Sequence, residues 1–200
     1  GGEGVAPGDE LVEHGAEGEE IAAAVDGLRL RLLRAHVGER AAHAAGARVV
    51  CFSPAEPDTQ CLVANLDLNP EFAERVMVTR DGLAHADVRF DPALSRYLFG
   101  NEPVVAGELQ CRALDSWLAE HPEVERVDWI KLDVEGAELD ALKGAEQCLR
   151  KFRPKLLIEC HNFHRPMEEA VRDYVLGLDL GYTFEAHPHG GVSHAYFEAR

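Results

Sequence analysis

Residues 129–138 read Trp-Ile-Lys-Leu-Asp-Val-Glu-Gly-Ala-Glu, and this stretch decides the fold. Apolar residues at 127–134 form a strand pattern that runs into Asp133 and Glu135, a glycine and the start of a helix. In an open α/β sheet, ligands bind beyond the carboxyl ends of parallel strands. We therefore expect Asp133 and Glu135 to lie at the rim of a pocket.

The composition is typical of a one-domain protein. The chain has 200 residues, of which 46% are hydrophobic and 28% are charged. A net charge of −16 provides no basic face for phosphates, so we expect no nucleic-acid partner. No run of about 18 apolar residues occurs, and we expect no membrane span.

The N-terminus and the cysteines bear on the compartment. The first residues are acidic and glycine-rich, unlike a secretory signal or a transit peptide, and any targeting segment upstream of Gly1 would lie outside this sequence. Five cysteines form an odd set without CxxC spacing, which favours buried thiols in a reducing environment. We therefore expect a cytoplasmic location.

Strand-like and helix-like segments alternate along the chain. Strand patterns occur at 9–13, 47–52, 76–79, 86–90, 109–113, 127–134, 156–160, 182–186 and 192–198. Helical patterns occur at 20–45, 54–66, 115–121, 138–149 and 167–178. This order predicts an α/β fold with a doubly wound, mostly parallel sheet, helices on both faces and a hairpin at the end. Asp81-Gly82 predicts a turn into a further hairpin arm at 86–90.

A glycine-rich turn follows the first strand pattern. The segment reads Glu13-His14-Gly15-Ala16-Glu17-Gly18. Glycines allow a cofactor to approach the backbone closely, and an acid can accept a hydrogen bond from its hydroxyl or amino groups. We expect Glu13, Gly15 and Gly18 to bind a cofactor, with a glycine-rich terminus that binds nothing as the alternative.

Several further motifs follow one another in the order found in one family. They are Val-Val-Cys-Phe-Ser-Pro at 49–54, Leu-Asp-Ser-Trp at 114–117, the segment 130–138, Leu-Lys-Gly-Ala at 142–145, and Pro154 before Leu-Ile-Glu at 157–159. The chain resembles the FkbM family of S-adenosylmethionine-dependent methyltransferases, most strongly from 114 to 162. The resemblance implies a class I methyltransferase (Rossmann-like) fold, with a seven-stranded sheet whose last strand is antiparallel. It also implies methyl transfer from S-adenosylmethionine to a hydroxyl, so we expect a small-molecule or saccharide acceptor.

The resemblance also assigns cofactor positions. It places Glu13, Gly15 and Gly18 against the methionine and ribose parts of the cofactor. Ser53 stands where the family has an acid that binds both ribose hydroxyls, and Asp81 would lie near the adenine edge. Because Ser53 lacks the second acceptor oxygen, a non-catalytic binding domain that has lost its cofactor is an alternative function.

The spacing between Glu13 and Ser53 is longer than in the family. It predicts an inserted helix near 26–43 within a single domain over residues 1–200. The start at Gly-Gly favours a domain that is trimmed at its N-terminus. A competing alignment puts Val37-Gly38 at the cofactor loop, but it offers no acid at the required place.

The candidate catalytic groups follow two strand patterns. Methyl transfer requires alignment of donor and acceptor, and a hydroxyl acceptor must lose a proton. Asp133, Glu135, Glu159 and His161 follow adjacent strands. We expect Asp133 to orient the substrate and His161 to serve as a general base, because imidazole exchanges a proton near neutral pH. The alternatives are that Glu135 caps the next helix and that His161 is a polar loop residue.

The remaining polar residues are predicted to be structural. We expect Lys131 to pair with an acid, and Glu138 to lie on a solvated helix face. We expect no metal site. The late histidines at 161, 164, 187, 189 and 194 contain no helical His-x-x-x-His pair, although a metal-assisted hydrolase built from them and Glu159 is a further alternative.

Overall fold

The structure is a computed structural model that describes residues 30–32, 47–54, 56–90, 109–162, 166–189 and 191–200. Its strands are β1 (Leu30–Leu32), β2 (Arg48–Phe52), β3 (Val76–Thr79), β4 (Gly82–Leu83), β5 (Val88–Phe90), β6 (Leu109–Arg112), β7 (Val127–Leu132), β8 (Lys155–His161), β9 (Tyr182–His189) and β10 (Val192–Ala199). Its helices are α1 (Glu56–Leu68), α2 (Pro70–Ala73), α3 (Leu114–Glu120), α4 (Glu138–Lys143), α5 (Glu146–Phe152) and α6 (Met167–Gly177). None of these helices is long and apolar enough to cross a membrane.

The strands form two sheets. The larger sheet has the order β3-β2-β1-β7-β8-β10-β9. Neighbouring strands from β3 to β8 are parallel, and β10 is antiparallel to both β8 and β9. The smaller sheet has the order β4-β6-β5. The prediction that 86–90 forms a hairpin arm after the turn at Asp81-Gly82 is wrong, because β5 pairs with β6 in the smaller sheet, whereas β3 lies in the larger one.

Strand β1 corrects the prediction for the N-terminal third. It lies between β2 and β7, and Leu32 pairs with Val50 on one side and with Ile130 on the other. The predicted helix over 26–43 is therefore wrong at 30–32. Leucine alternates with arginine from 28 to 32, and this period of two is the pattern of a strand. The strand predicted at 9–13 lies outside the described residues.

Helices pack on both faces of the larger sheet, which confirms the α/β class. Successive strand residues point to opposite faces. Val50 belongs to the main apolar core together with residues of α3 to α6. Val49 and Cys51 pack instead with Leu62 of α1. The main core includes fully buried residues of the two strands that carry the candidate site, such as Ile130 and Ile158.

The single helix predicted over 138–149 is wrong, because the chain breaks into α4 and α5 at Gly144. A Cβ atom on Gly144 would lie 1.9 Å from the carbonyl oxygen of Ala84. This position therefore accepts only glycine where the turn packs against the smaller sheet. A contact between distant parts of the chain thus divides the two helices.

Asp115 caps a helix other than its own. Its two carboxylate oxygens accept hydrogen bonds from the backbone N–H groups of Gln147 and Cys148, each at 2.8 Å. These donors belong to the first turn of α5, where an acid is favourable. Its own helix, α3, begins after Ala113 without a side-chain cap.

Candidate active site at the carboxyl ends of β7 and β8

The structure brings the four predicted catalytic side chains together. Strands β7 and β8 are parallel neighbours, and Leu132 pairs with Ile158. Asp133 therefore leaves β7 beside Glu159. One side-chain ligand atom from each of Asp133, Glu159 and His161 lies within 4.8 Å of the others.

His161 lies at the centre of this group. Its side chain is 4% exposed, and it ends β8, so it is not a polar loop residue. Its Nδ1 atom lies 2.7 Å from Oε1 of Glu138. Its Nε2 atom lies 3.4 Å from Oε2 of Glu135 and 3.8 Å from Oε1 of Glu159. The imidazole therefore has one edge against a buried acid and the other edge among acids of the sheet rim.

Glu138 is the site residue that sequence reasoning missed. The prediction of a solvated helix face is wrong, since Glu138 is 0% exposed. Ala141 and Leu142, three and four positions later, are buried on the same face of α4. This spacing was the available signal that Glu138 points inward.

The turn between β7 and α4 provides a backbone hydrogen bond that holds Glu138 beside His161. Glu135 and Gly136 both have positive φ angles, 53° and 102°. A left-handed conformation costs a residue other than glycine about 1–2 kcal/mol, so packing and hydrogen bonds must hold Glu135 in place. The turn directs the N–H of Gly136 to Oε1 of Glu138 at 2.9 Å. The N-cap residue of α4 is Ala137 and forms no side-chain cap bond, while Glu135 reaches His161.

The described residues of the cluster include more acids than bases. Nζ of Lys131 lies 3.7 Å from Oδ2 of Asp133, as expected for a lysine paired within the sheet. Nε2 of His194 lies 3.6 Å from Oε2 of Glu159. Among the residues that the structure describes, the four carboxylates at 133, 135, 138 and 159 thus face one lysine and two imidazoles. Such a site attracts cationic or proton-donating groups.

Two carboxylates and an imidazole are also a ligand set that divalent transition metals accept. In the described part of the chain, the residues that could hold an ion are Asp133, Glu159 and His161. Of the late histidines that the structure describes, His161 belongs to this ligand set. His187 pairs with the exposed Glu185, and His164 and the side chain of His189 lie outside the described residues.

Ser53 and Asp81 lie at the ends of β2 and β3, on the other side of β1 from His161. Ser53 is 4% exposed, and its N–H donates to the carbonyl of Thr79 at 2.9 Å. The hydroxyl of Thr59 donates to the carbonyl of Ser53 at 2.6 Å. The carboxylate of Asp81 accepts a hydrogen bond from the hydroxyl of Thr79 at 3.0 Å.

The other three predicted cofactor residues, Glu13, Gly15 and Gly18, lie outside the described residues. They precede β1 in the chain. Ligands of α/β sheets bind beyond the carboxyl ends of the strands, and the residues beyond the carboxyl end of β1 begin at position 33.

Comparisons with known proteins agree with this architecture. The sequence profile of the Methyltransferase FkbM domain matches residues 34–184. The structure of a methyltransferase FkbM from Methylobacillus flagellatus KT is similar, with a TM-score of 0.64 and 23% identity. That match covers 86% of this chain but only 44% of the length of the other protein. No protein among the curated sequences is a significant match.

Two further solved structures share the fold at low identity. An rRNA methylase from Streptococcus thermophilus has a TM-score of 0.53 and 16% identity, and the match covers 91% of this chain and 93% of that one. A candidate tRNA (m1A22) methyltransferase from Streptococcus pneumoniae has a TM-score of 0.51 and 14% identity, covering 90% and 68%.

These neighbours correct one prediction. The exclusion of a nucleic-acid partner is wrong, because the same fold occurs in proteins described as acting on rRNA and tRNA. A net charge sums the whole surface and does not report the local field of a cleft. The family match extends over more than half of the sequence and includes the four clustered residues. The chain therefore belongs to the FkbM methyltransferase family.

Proposed function

We propose that this domain transfers a methyl group from S-adenosylmethionine to a hydroxyl oxygen of a small molecule or a saccharide. The observation that carries the proposal is the convergence of Asp133, Glu135, Glu159 and His161 beyond two adjacent parallel strands. Ligands of α/β sheets bind at this edge. Membership of the FkbM family supplies the reaction class.

The described residues fit such a cofactor in part. Ser53 and Asp81 place polar groups at the ends of β2 and β3, across β1 from the acids. Ser53 offers a hydroxyl where a carboxylate would accept both ribose hydroxyls. As cofactor-binding residues we favour Val37-Gly38 over Glu13, Gly15 and Gly18, because β1 ends at Leu32 and the family match begins at residue 34.

The protein's own task in this reaction is alignment and proton removal. When bound, the cofactor supplies a methyl group on a sulfonium, which needs no acid to leave. Asp133 accepts a hydrogen bond from the acceptor hydroxyl and orients it. His161 takes the proton through Nε2, the nitrogen that faces the rim acids. A positioned base of this kind contributes about 10²–10⁴-fold to a rate.

A second candidate function is a methyltransferase-like binding domain without catalysis, and Ser53 is the observation that favours it. Each charge-assisted hydrogen bond to a lost carboxylate is worth about 1.5–3 kcal/mol. Cofactor affinity would then be about 10–100-fold weaker than with an acid at this position.

Calorimetric titration of the full chain with S-adenosylmethionine separates the two candidates. We expect measurable binding, whereas no heat at high micromolar cofactor would support the binding domain. With radiolabelled S-adenosylmethionine and a panel of monosaccharides and catechols, His161→Gln is expected to lower kcat at least about 100-fold without changing cofactor affinity. The matched control is Asp140→Asn, which removes an acid from the first turn of α4 that pairs with His85 instead. Wild-type turnover by His161→Gln would refute the assigned base.

A further inference from the structure

We infer that Glu138 is a positioning residue that fixes the tautomer of His161, holding the proton on Nδ1 and leaving Nε2 to face the acceptor site. Its meaning for catalysis rests on the proposed methyl transfer, whereas the tautomer itself does not. Glu138 is buried in contact with the imidazole and does not lie on a solvated helix face, and this position points to the role.

The hydrogen bonds around Glu138 determine where the proton lies. Oε1 of Glu138 accepts the N–H of Gly136 at 2.9 Å and lies 2.7 Å from Nδ1 of His161. A backbone N–H can only donate, so Oε1 acts as an acceptor in this contact. As a carboxylate, Glu138 can only accept, so the proton between Oε1 and Nδ1 belongs to Nδ1, and in the neutral ring Nε2 then carries the lone pair.

The surroundings of the ring give that lone pair a direction. Glu138 reaches His161 from α4, on the Nδ1 edge. Glu135 from the β7–α4 turn and Glu159 from β8 itself lie 3.4 Å and 3.8 Å from Nε2, and Asp133 lies in the same cluster. With Nδ1 engaged by the helix, the nitrogen that faces the sheet rim is the one able to accept a proton.

The energetic cost of Glu138 argues against a role in packing alone. The side chain is fully buried, and within the described part of the chain Oε2 has no hydrogen-bond partner. An apolar residue at this position of α4 would fill the space without desolvating a carboxylate. Keeping an acid here is explained if the acid acts on His161.

The test is a long-range ¹H–¹⁵N correlation spectrum of the full chain labelled with [¹⁵N]histidine, recorded where the ring of His161 is neutral. The wild-type protein is expected to show the Nδ1–H tautomer. Glu138→Gln keeps the acceptor oxygen and should keep this tautomer. Glu138→Met removes the acceptor and should change the tautomer ratio at least about tenfold towards Nε2–H. Asp140→Asn, on the same helix turn, should leave the spectrum of His161 unchanged.

A proton on Nε2 in the wild-type protein would overturn the inference, as would an unchanged ratio in folded Glu138→Met. Stoichiometric broadening of Nε2 by Mn²⁺ would refute the general-base role of His161 but support the tautomer, because a metal on Nε2 also requires the proton on Nδ1. If Glu138→Met does not fold, the spectra of wild type and Glu138→Gln decide the question. In the transfer assay, kcat should fall in Glu138→Met and recover in Glu138→Gln at constant KM for the cofactor. Absence of methyl transfer with the expected tautomer would refute the proposed function and leave the placement of the proton intact.

Discussion

Replacement of Gly144 by alanine tests how the turn between α4 and α5 is packed. The added Cβ would lie 1.9 Å from the carbonyl oxygen of Ala84, and 3.1 Å from the Cα of Ala113. Contacts below 3.0 Å essentially never occur for Cβ atoms, so one backbone segment must move by about 1 Å. The obstacle is backbone, which cannot rotate away as a side chain can.

The expected loss follows from two effects. Overpacking against a well-packed neighbour costs typically about 1–3 kcal/mol, and a backbone obstacle places this site at the upper end. The shift also strains the hydrogen bond from the N–H of Asp115 to the carbonyl of Gly144, now 2.9 Å long, at a cost of about 1 kcal/mol. We expect Gly144→Ala to lower the free energy of unfolding by about 3–4 kcal/mol in urea melts followed by circular dichroism.

Gly177→Ala is the matched control, since a Cβ at Gly177 meets no atom within 4 Å outside its own helix. It ends α6, where alanine should leave stability unchanged or raise it by up to about 1 kcal/mol. A Gly144→Ala protein within 1 kcal/mol of wild type would refute the reasoning about this turn. In that case close packing would not explain the glycine of the Leu-Lys-Gly-Ala motif at 142–145.

Three other predictions follow from named contacts. Burial raises the pKa of the Cys111 and Cys160 thiols to about 12 from about 9, so the folded state holds these protons more tightly than the unfolded state. The two thiols therefore contribute fully to the free energy of unfolding below pH 9. As the pH rises from 9 to 12, this contribution falls by about 1.4 kcal/mol per pH unit for each thiol. Urea melts between pH 8 and 11 will measure the decrease. Asp115→Ala removes the acceptor of two N–H groups of α5 and should cost about 1–2 kcal/mol, whereas an unchanged melting curve would contradict the assigned cap. Ser53→Glu should tighten S-adenosylmethionine binding by about 10-fold in calorimetry if this position faces the ribose, and weaker binding would show that it does not.

The strands that bear the site were predictable because their sequence signals are local. The apolar runs before Asp133 and at 156–160 identify β7 and β8 directly. Parallel pairing of such strands then brings the following acids and His161 to one edge. The amphipathic spacing of Glu138, Ala141 and Leu142 was equally local, and the burial of Glu138 was missed because a glutamate at a helix start usually stays in solvent.

The missed features depend on partners far along the chain. Strand β1 has leucine and arginine, which favour helices, and only its alternation and its two neighbours make it a strand. The break at Gly144 follows from the position of Ala84, about sixty residues earlier. Asp115 caps a helix more than thirty residues later. None of these contacts is encoded in a window of neighbouring residues.

The position of β1 has a consequence for how the chain folds. Its hydrogen-bonding edge towards β7 has no partner until residues 127–132 exist, nearly a hundred residues after β1 itself is made. During synthesis, that exposed edge is open to pairing with other chains. Pairing of β1 with β7 then closes a long loop, which costs chain entropy. Folding should therefore be slow and dependent on late residues. The acids of the rim come together when β8 pairs with β7, so a chain that ends before residue 161 has no complete reactive centre to expose.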